Sequence, residues 1–325
     1  MSKEIKIKVA VQMDKLDKIN KDTDSTLVLI QEAIKRKFSV YIYSVDNLYL
    51  ENNELKAISN QVLSINIKKE KFLTLDKPKI INLNSFEFIL IRQDPPFNME
   101  YITATYLLEK LPKSCLVLNK PNSIRDCPEK LFVMEFFNLM PPTLICKQKS
   151  NIIKFVKKHK KVVIKPLYGN GGSDVFYLSE KDPNLNIIID NLISKKEHVI
   201  VQKFIKNVRN GDKRILLING LPVGAVNRVP VNNEIRANLH IGGLAKKTSL
   251  TKREKLICNQ ISSKIREKGL FFTGIDVIDG YLTEINVTSP TCIREIDALN
   301  KINISYVYWE EALKLRNHRT NVLTS

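Results

Sequence analysis

Three side chains in the last third of the chain, Asp276, Glu284 and Asn286, offer oxygen donors in a pattern that suits a hard cation. Asp276 interrupts the apolar run Leu270 to Ile278, where a buried strand would place another aliphatic residue. Glu284 and Asn286 lie two apart in Tyr281 to Val287, so a strand projects both from one face. Two carboxylates and an amide oxygen favour Mg²⁺ over zinc, which prefers sulfur and nitrogen. Asp276 can join the other two only if strand pairing is centred on Gly280. That requires a connection of three or five residues, or a bulge. A plain two-residue Asp279-Gly280 turn, which the sequence advertises, would send the carboxylates to opposite faces.

A second group of residues suits phosphate. Lys165 ends an apolar strand and is followed by Gly169, Asn170, Gly171, Gly172 and Ser173, then by a further strand, Val175 to Leu178. A Walker loop places its lysine after the glycines and leads into a helix, so this order predicts a flap between antiparallel strands. Its small residues let backbone N–H groups wrap phosphate oxygens while Lys165 supplies a point charge. The strand His198 to Ile205 ends in Gln202, Lys203, Phe204 and Ile205, which can offer backbone groups and an apolar wall to a flat base. Arg228 precedes, and Arg236 lies within, a polar stretch at 230–245 that reads as a lid.

Alternating strand and helix signals position these groups. Strands at Ile5 to Met13, Val40 to Val45 and Phe86 to Arg92, with a helix opened by Asp24 and Ser25, indicate an α/β layer over the first 120 residues. No G-x-G-x-x-G follows the first strand, so a nucleotide is not expected there. Arg92 and Asp94 lie just past a strand's carboxyl end, where ligands of such sheets bind. After Lys120-Pro121, Lys130 begins the apolar helix LFVMEFF. A second α/β unit then runs from strand Thr143 to Lys147 through a Ser150-capped helix to strand Val162 to Lys165. Asn219-Gly220 marks a hairpin. The capping box Thr251-x-x-Glu254 opens a helix with Leu256, Ile257, Ile261 and Ile265 facing inward, and a last helix spans about Ser305 to Arg316.

Composition sets bounds. A chain of 325 residues, 43% hydrophobic and 26% charged, has the balance of a globular protein with two or three domains. The opening run is broken by lysines and reads as a strand and not a signal peptide, and no stretch is apolar enough to span a membrane. Five widely spaced cysteines form neither a disulfide framework nor a C-x-x-C pair, which fits buried thiols in a reducing cytoplasm. A net charge of +18 would suit nucleic acid, but 40 lysines against 12 arginines are scattered throughout and no RNA- or DNA-binding pattern accompanies them. Neither nucleic acid nor membrane is expected as a partner.

The order strand-end lysine, glycine flap, base-edge strand, basic lid and Asp…Glu-x-Asn resembles an ATP-grasp ligase. Over nearly the whole chain it is most similar to the bacterial glutathione synthetase family. The resemblance rests on Arg92-x-Asp94-Pro95-Pro96-Phe97, Asn119-Lys120-Pro121, Arg125-Asp126-Cys127-x-Glu129-Lys130-Leu131-Phe132, Gly211-Asp212-Lys213-Arg214 and the run from Leu282 to Glu295. It implies an α/β (α+β) architecture, in which a Rossmann-like pre-ATP-grasp layer at 1–121 precedes ATP-grasp lobes at 122–205 and 206–325. It also implies ATP-dependent joining of γ-glutamylcysteine to glycine through an acyl phosphate, in a cytoplasmic homotetramer.

By the same resemblance, Asp276, Glu284 and Asn286 hold Mg²⁺, for which Mn²⁺ can stand in. Lys130, Lys165, Asp212, the flap Gly169 to Ser173 and the slot Gln202 to Ile205 bind ATP. Arg214, Arg228 and Arg236 stabilise the reacting groups, and Arg228, Arg236, Asn238, Ser289 and Thr291 bind the peptide. The family pattern is departed from at Gln93, Asn98 and Lys203-Phe204. The remaining alternatives are another ATP-grasp carboxylate–amine ligase, acting on D-alanine or glutamate, or an inert ATP- or RNA-binding protein.

Overall fold

The computed structural model describes residues 6–169, 171, 172, 174–195, 197–231, 234, 236, 237, 239 and 242–324. The first layer is an eight-stranded sheet. Its elements are β1 (Lys8–Gln12), α1 (Ser25–Lys35), β2 (Ser39–Tyr43), β3 (Leu48–Glu51), β4 (Glu54–Ile65), β5 (Leu73–Leu75), β6 (Lys79–Asn82), β7 (Phe88–Ile91), α2 (Met99–Leu108) and β8 (Leu116–Leu118). The strand order is β3-β4-β2-β1-β7-β8, with β5 and β6 beside β4. The four strands from β2 to β8 are parallel, and all four residues of β7 are buried, as a parallel sheet covered on both faces requires. Asp24 caps α1 as expected, its carboxylate accepting from Leu27 N at 2.6 Å.

Two short helices, α3 (Pro121–Asp126) and α4 (Glu129–Phe132), lead out of this layer. The run LFVMEFF does not continue as one α-helix. It tightens into 3₁₀ turns over Val133–Leu139 with a kink at Phe136, in a segment that buries Val133 and Leu139. The second sheet contains β9 (Thr143–Cys146), α5 (Lys149–His159), β10 (Lys161–Pro166), β11 (Phe176–Ser179), α6 (Leu185–Ser194) and β12 (Val199–Lys203). Its order is β11-β10-β12-β9, antiparallel throughout. Ser150 lies inside α5 and does not cap it; the cap position is Gln148, whose side chain makes no capping bond.

The third sheet is built from β13 (Asp212–Ile218), β14 (Leu221–Val229), β15 (Leu244–Lys247), β16 (Phe272–Ile278) and β17 (Tyr281–Asn286), in the order β15-β14-β13-β16-β17. Helix α7 (Lys252–Glu267) packs on it, opened by the expected Thr251–Glu254 capping box. Ile257, Cys258, Ile261 and Ile265 face inward, but Leu256 is 44% exposed because it falls outside their helical stripe. Helices α8 (Ile293–Asn300) and α9 (Ile304–Thr324) close the chain.

Cores divide differently from sheets. The second sheet and its helices α5 and α6 enclose a core of their own around Val156, Ile164 and Ile189. The first and third sheets share one, in which Val9, Phe88 and Leu90 meet Leu216, Val226 and Trp309. Trp309 lies edge-on to Phe38 and Phe88 and donates its indole N–H to Leu29 O at 2.9 Å. The first and third sheets therefore form a continuous body, and the second carries its flap on a separately packed lobe.

Candidate active site

The hairpin β16–β17 resolves the register question. Asp279 and Gly280 both have positive φ, 50° and 75°, and form a two-residue turn that pairs Ile278 with Tyr281 and Val277 with Leu282. The register then shifts, so that Asp276 pairs with Glu284 and Thr283 is left over. The bulge is the device that puts both carboxylates on one face. Thr283 Oγ1 holds it by donating to Asp276 O at 3.1 Å. Asn286 follows on the same face, its amide donating to Gly274 O at 3.2 Å and approaching Asp276 Oδ2 at 3.5 Å.

Arginines and carboxylates face one another across this side of the sheet. Arg214 on β13 lies directly opposite Asp276 and forks onto its carboxylate, with Nε–Oδ1 at 2.6 Å and Nη2–Oδ2 at 3.1 Å. Gly274 makes room for that fork: a Cβ there would lie 3.1 Å from Arg214 Cδ. Arg228 on β14 reaches both Asp212, at 2.7 Å, and Asp276 Oδ1, at 3.0 Å. Burial alone would raise the Asp276 carboxyl, but the guanidiniums of Arg214 and Arg228 hold it well below the usual carboxylate range. Asp212 responds oppositely: burial outweighs Arg228 and raises it to about 6.

The second lobe and the linker supply amines. Lys130 Nζ stands 3.2 Å from Glu284 Oε1 and also donates to the carbonyl of Gly169 at the start of the flap. Lys165 is the penultimate residue of β10, and its burial lowers its pKa against the opposing pull of Glu284. Glu284 is held below the ordinary range, burial being outweighed by Lys130 and Lys165 together. Flap glycines Gly171 and Gly172 have φ of 63° and 83°, a conformation other residues rarely adopt. The flap does connect antiparallel strands, β10 and β11. Asn170 and Ser173 lie outside the described residues, as does Asn238.

These groups line one cavity of about 440 Å³. It is walled by the flap glycines on one side, the Arg214–Asp276 face on another and Gln202 to Ile205 at one end. Phe204 is fixed there by an edge contact with Tyr177, centroids 4.8 Å apart. The N–H groups of Lys203 and Phe204 already donate to Pro142 O and Lys161 O, so those two amides are not what a base would meet. Arg236 also faces the cavity, pairs with Glu234 at 2.7 Å and donates to Gly172 O at 3.3 Å, linking the lid stretch to the flap. Ser289 and Thr291 also line the cavity.

Other placements differ from simple ligand roles. Arg92 is buried and joins Thr26 Oγ1, at 3.1 Å, to Pro290 O, at 2.9 Å, so it braces the first layer against the last. Asp94 does reach the cavity wall. Glu129, Cys292 and Glu295, which the sequence placed in motifs without a site role, also line the cavity. Glu129 has no local signal, since its partners Val287 and Thr288 lie 158 and 159 residues further on.

The donor set fits a hard divalent cation. Asp276 and Glu284 are cross-strand neighbours kept ionised, with the Asn286 amide beside them, and all three offer oxygen. Among the described residues no cluster of three His, Cys, Asp or Glu side chains competes as a metal site.

Comparison with known proteins gives a consistent picture. Residues 7–125 match the family model for the prokaryotic glutathione synthetase N-terminal domain, and residues 129–301 match that for the prokaryotic glutathione synthetase ATP-grasp domain. The chain is 45% identical over 305 residues to the glutathione synthetase of Rhodopseudomonas palustris, covering 94% of this chain and 97% of that one. It is 39% identical over 302 residues to the glutathione synthetase of Escherichia coli K12, covering 92% and 95%. Among solved structures, the D-cycloserine synthetase DcsG superposes with a TM-score of 0.65 at 11% identity, covering 96% of this chain and 99% of that one. The ATP-grasp ligase PsnB, complexed with minimal precursor, Mg and ADP, gives 0.60 at 13% identity, covering 95% and 98%. These two likenesses show a shared ATP-grasp fold.

Proposed function

The chain belongs to the prokaryotic glutathione synthetase family of ATP-dependent ligases, and on that footing we propose how its own residues divide the work. The reaction is the ATP-dependent ligation of γ-glutamylcysteine to glycine through an acyl phosphate. The observation that carries this reading is the single cavity in which Lys130, Lys165, three arginines and the Asp276–Glu284–Asn286 face meet. Units at 1–121, 122–205 and 206–325 are supported by three sheets that fall one in each.

Asp276, Glu284 and Asn286 would hold Mg²⁺, or Mn²⁺, which has the same preference for oxygen. When bound, the metal neutralises charge on the transferring phosphoryl group. Lys165 and Lys130 supply cationic contacts to phosphate oxygens, and the flap covers them with backbone N–H groups. Phe204 and Ile205 give the base an apolar wall. Arg214 and Arg228, held by Asp276 and Asp212, would lend positive charge to the carboxylate being activated and the acyl phosphate that follows. Arg236, tied to Gly172, closes the lid side against water, which would otherwise hydrolyse the acyl phosphate before a weak amine attacks. Ser289 and Thr291 orient the peptide.

Phosphate release in the presence of ATP and Mg²⁺ tests the reading. It should require both γ-glutamylcysteine and glycine. Equal release with D-alanine or glutamate as substrates, or none with any, would overturn it.

A further inference from the structure

Val287 to Thr291 leaves β17 immediately after Asn286 and carries Ser289 and Thr291 into the cavity. Past the end of the strand, side chains from earlier in the chain set its path. Asn119 donates to Val287 O at 2.8 Å and to Phe272 O at 2.8 Å, and accepts from Phe272 N at 2.7 Å, much as a short strand would. Arg92 donates to Pro290 O and accepts at its own carbonyl from Ser289 Oγ at 3.2 Å. Glu129 takes three donors: its Oε1 accepts from Val287 N at 3.0 Å, Thr288 N at 3.3 Å and Thr288 Oγ1 at 2.8 Å.

Glu129 and Lys130 are consecutive on α4 and serve different halves of the cavity. Lys130 contacts Glu284 and the flap, whereas Glu129 contacts the segment that bears Ser289 and Thr291. We propose that Glu129 is a positioning residue for the peptide half of the site, acting through Val287 and Thr288 as a hydrogen-bond acceptor and not as a charge toward substrate. This rests on the ligase reading above for its kinetic consequence, but its structural consequence does not. Three donors converge on one oxygen, so a side chain that keeps that oxygen at that reach keeps the function. An amide oxygen does so, and a methyl group does not.

The test compares Glu129→Gln with Glu129→Ala in the full-length protein. Glu129→Ala should raise the KM for γ-glutamylcysteine about tenfold or more while the KM for ATP stays within about twofold, as loss of three hydrogen bonds to one segment implies. Glu129→Gln should recover most of that loss. Hydrogen exchange at the amides of Val287 and Thr288, read without any substrate, should quicken about tenfold or more in the Ala variant and stay near wild type in the Gln variant.

Gln as impaired as Ala in peptide KM would show a charge acting on substrate and overturn the proposal. Equal rises in both KM values, or unchanged exchange at Val287 and Thr288 in the Ala variant, would overturn it as well. A wild-type protein inactive with γ-glutamylcysteine and glycine would defeat the ligase reading alone, and the exchange measurement would still decide the role of Glu129.

Discussion

Changing Glu284 to Gln removes one negative charge from the cavity while keeping the side chain's shape and one oxygen. Glu284 Oε1 faces Lys130 Nζ at 3.2 Å. From 332/(εr), a full pair at that distance is worth about 1.3 kcal/mol at the dielectric of water and about 5 kcal/mol at an effective value of ~20. Glu284 is 18% exposed on the wall of the cavity, so the stability lost should lie near the low end, about 1–2 kcal/mol, or a few degrees in Tm.

The effect on turnover should be much larger. With one of two metal-binding carboxylates gone, kcat should fall roughly 10²- to 10³-fold, and more Mg²⁺ should be needed for half-maximal rate. Affinity for ATP without metal should rise about fivefold, because Lys130 no longer divides its charge between Glu284 and phosphate; that is about 1 kcal/mol. Phosphate-release kinetics across a Mg²⁺ titration, nucleotide binding in chelator and a thermal melt give the three readouts. Wild-type kcat with an unchanged Mg²⁺ titration would refute the metal assignment. Weaker metal-free ATP binding would refute the competition between Glu284 and phosphate.

Two further outcomes follow from the hairpin and from a buried carboxyl. The Asp279-Gly280 turn already pairs Val277 with Leu282, so deleting Thr283 should remove the bulge and still leave Asp276 opposite Glu284. The deletion should keep Mg²⁺-dependent activity within about tenfold of wild type, and loss beyond a hundredfold would show the register account to be wrong. Asp297, which accepts from Ile304 N at 3.0 Å, is raised by burial to about 6. A raised carboxyl stays protonated in the fold where the unfolded chain has lost its proton, so its share of stability declines as pH climbs from about 4 toward 6. Asp297→Asn keeps the acceptor and should flatten the dependence of Tm on pH over that interval; an unchanged slope would count against Asp297 as its source.

What the sequence made legible was periodic or local. The capping box at Thr251, the Asp24 cap, the Asn219-Gly220 hairpin and the lysine–glycine order of the flap each depend on residues within a few positions of one another. The structure has all four. The shared face of Asp276 and Glu284 was also readable, because strand parity left few registers, of which a bulge was one. Glu129 and Arg92 were legible only as members of a familiar run, since what they do is fixed by Val287, Thr288 and Pro290 much later in the chain. Leu256 misled for a different reason: an apolar residue beside a buried stripe looks like part of it until the helix is set against its sheet.

The cavity's charges explain how so many cations can be assembled before any substrate supplies anions. Arg214 and Arg228 are neutralised by Asp276 and Asp212, Lys130 by Glu284, and Arg236 by Glu234. Burying Arg214, Arg228 and Lys130 unpaired would cost several kcal/mol each, and the carboxylates offset most of that cost. The same pairing sets the terms of binding. A phosphate or peptide carboxylate must compete with a protein carboxylate for its cation, and a divalent cation is what can occupy the carboxylates so released. Metal and anionic substrate should therefore bind with positive coupling, each favouring the other by the same factor. Neutralising Glu284 should weaken that coupling through Lys130, while the pairs of Arg214 and Arg228 with Asp276 stay in place.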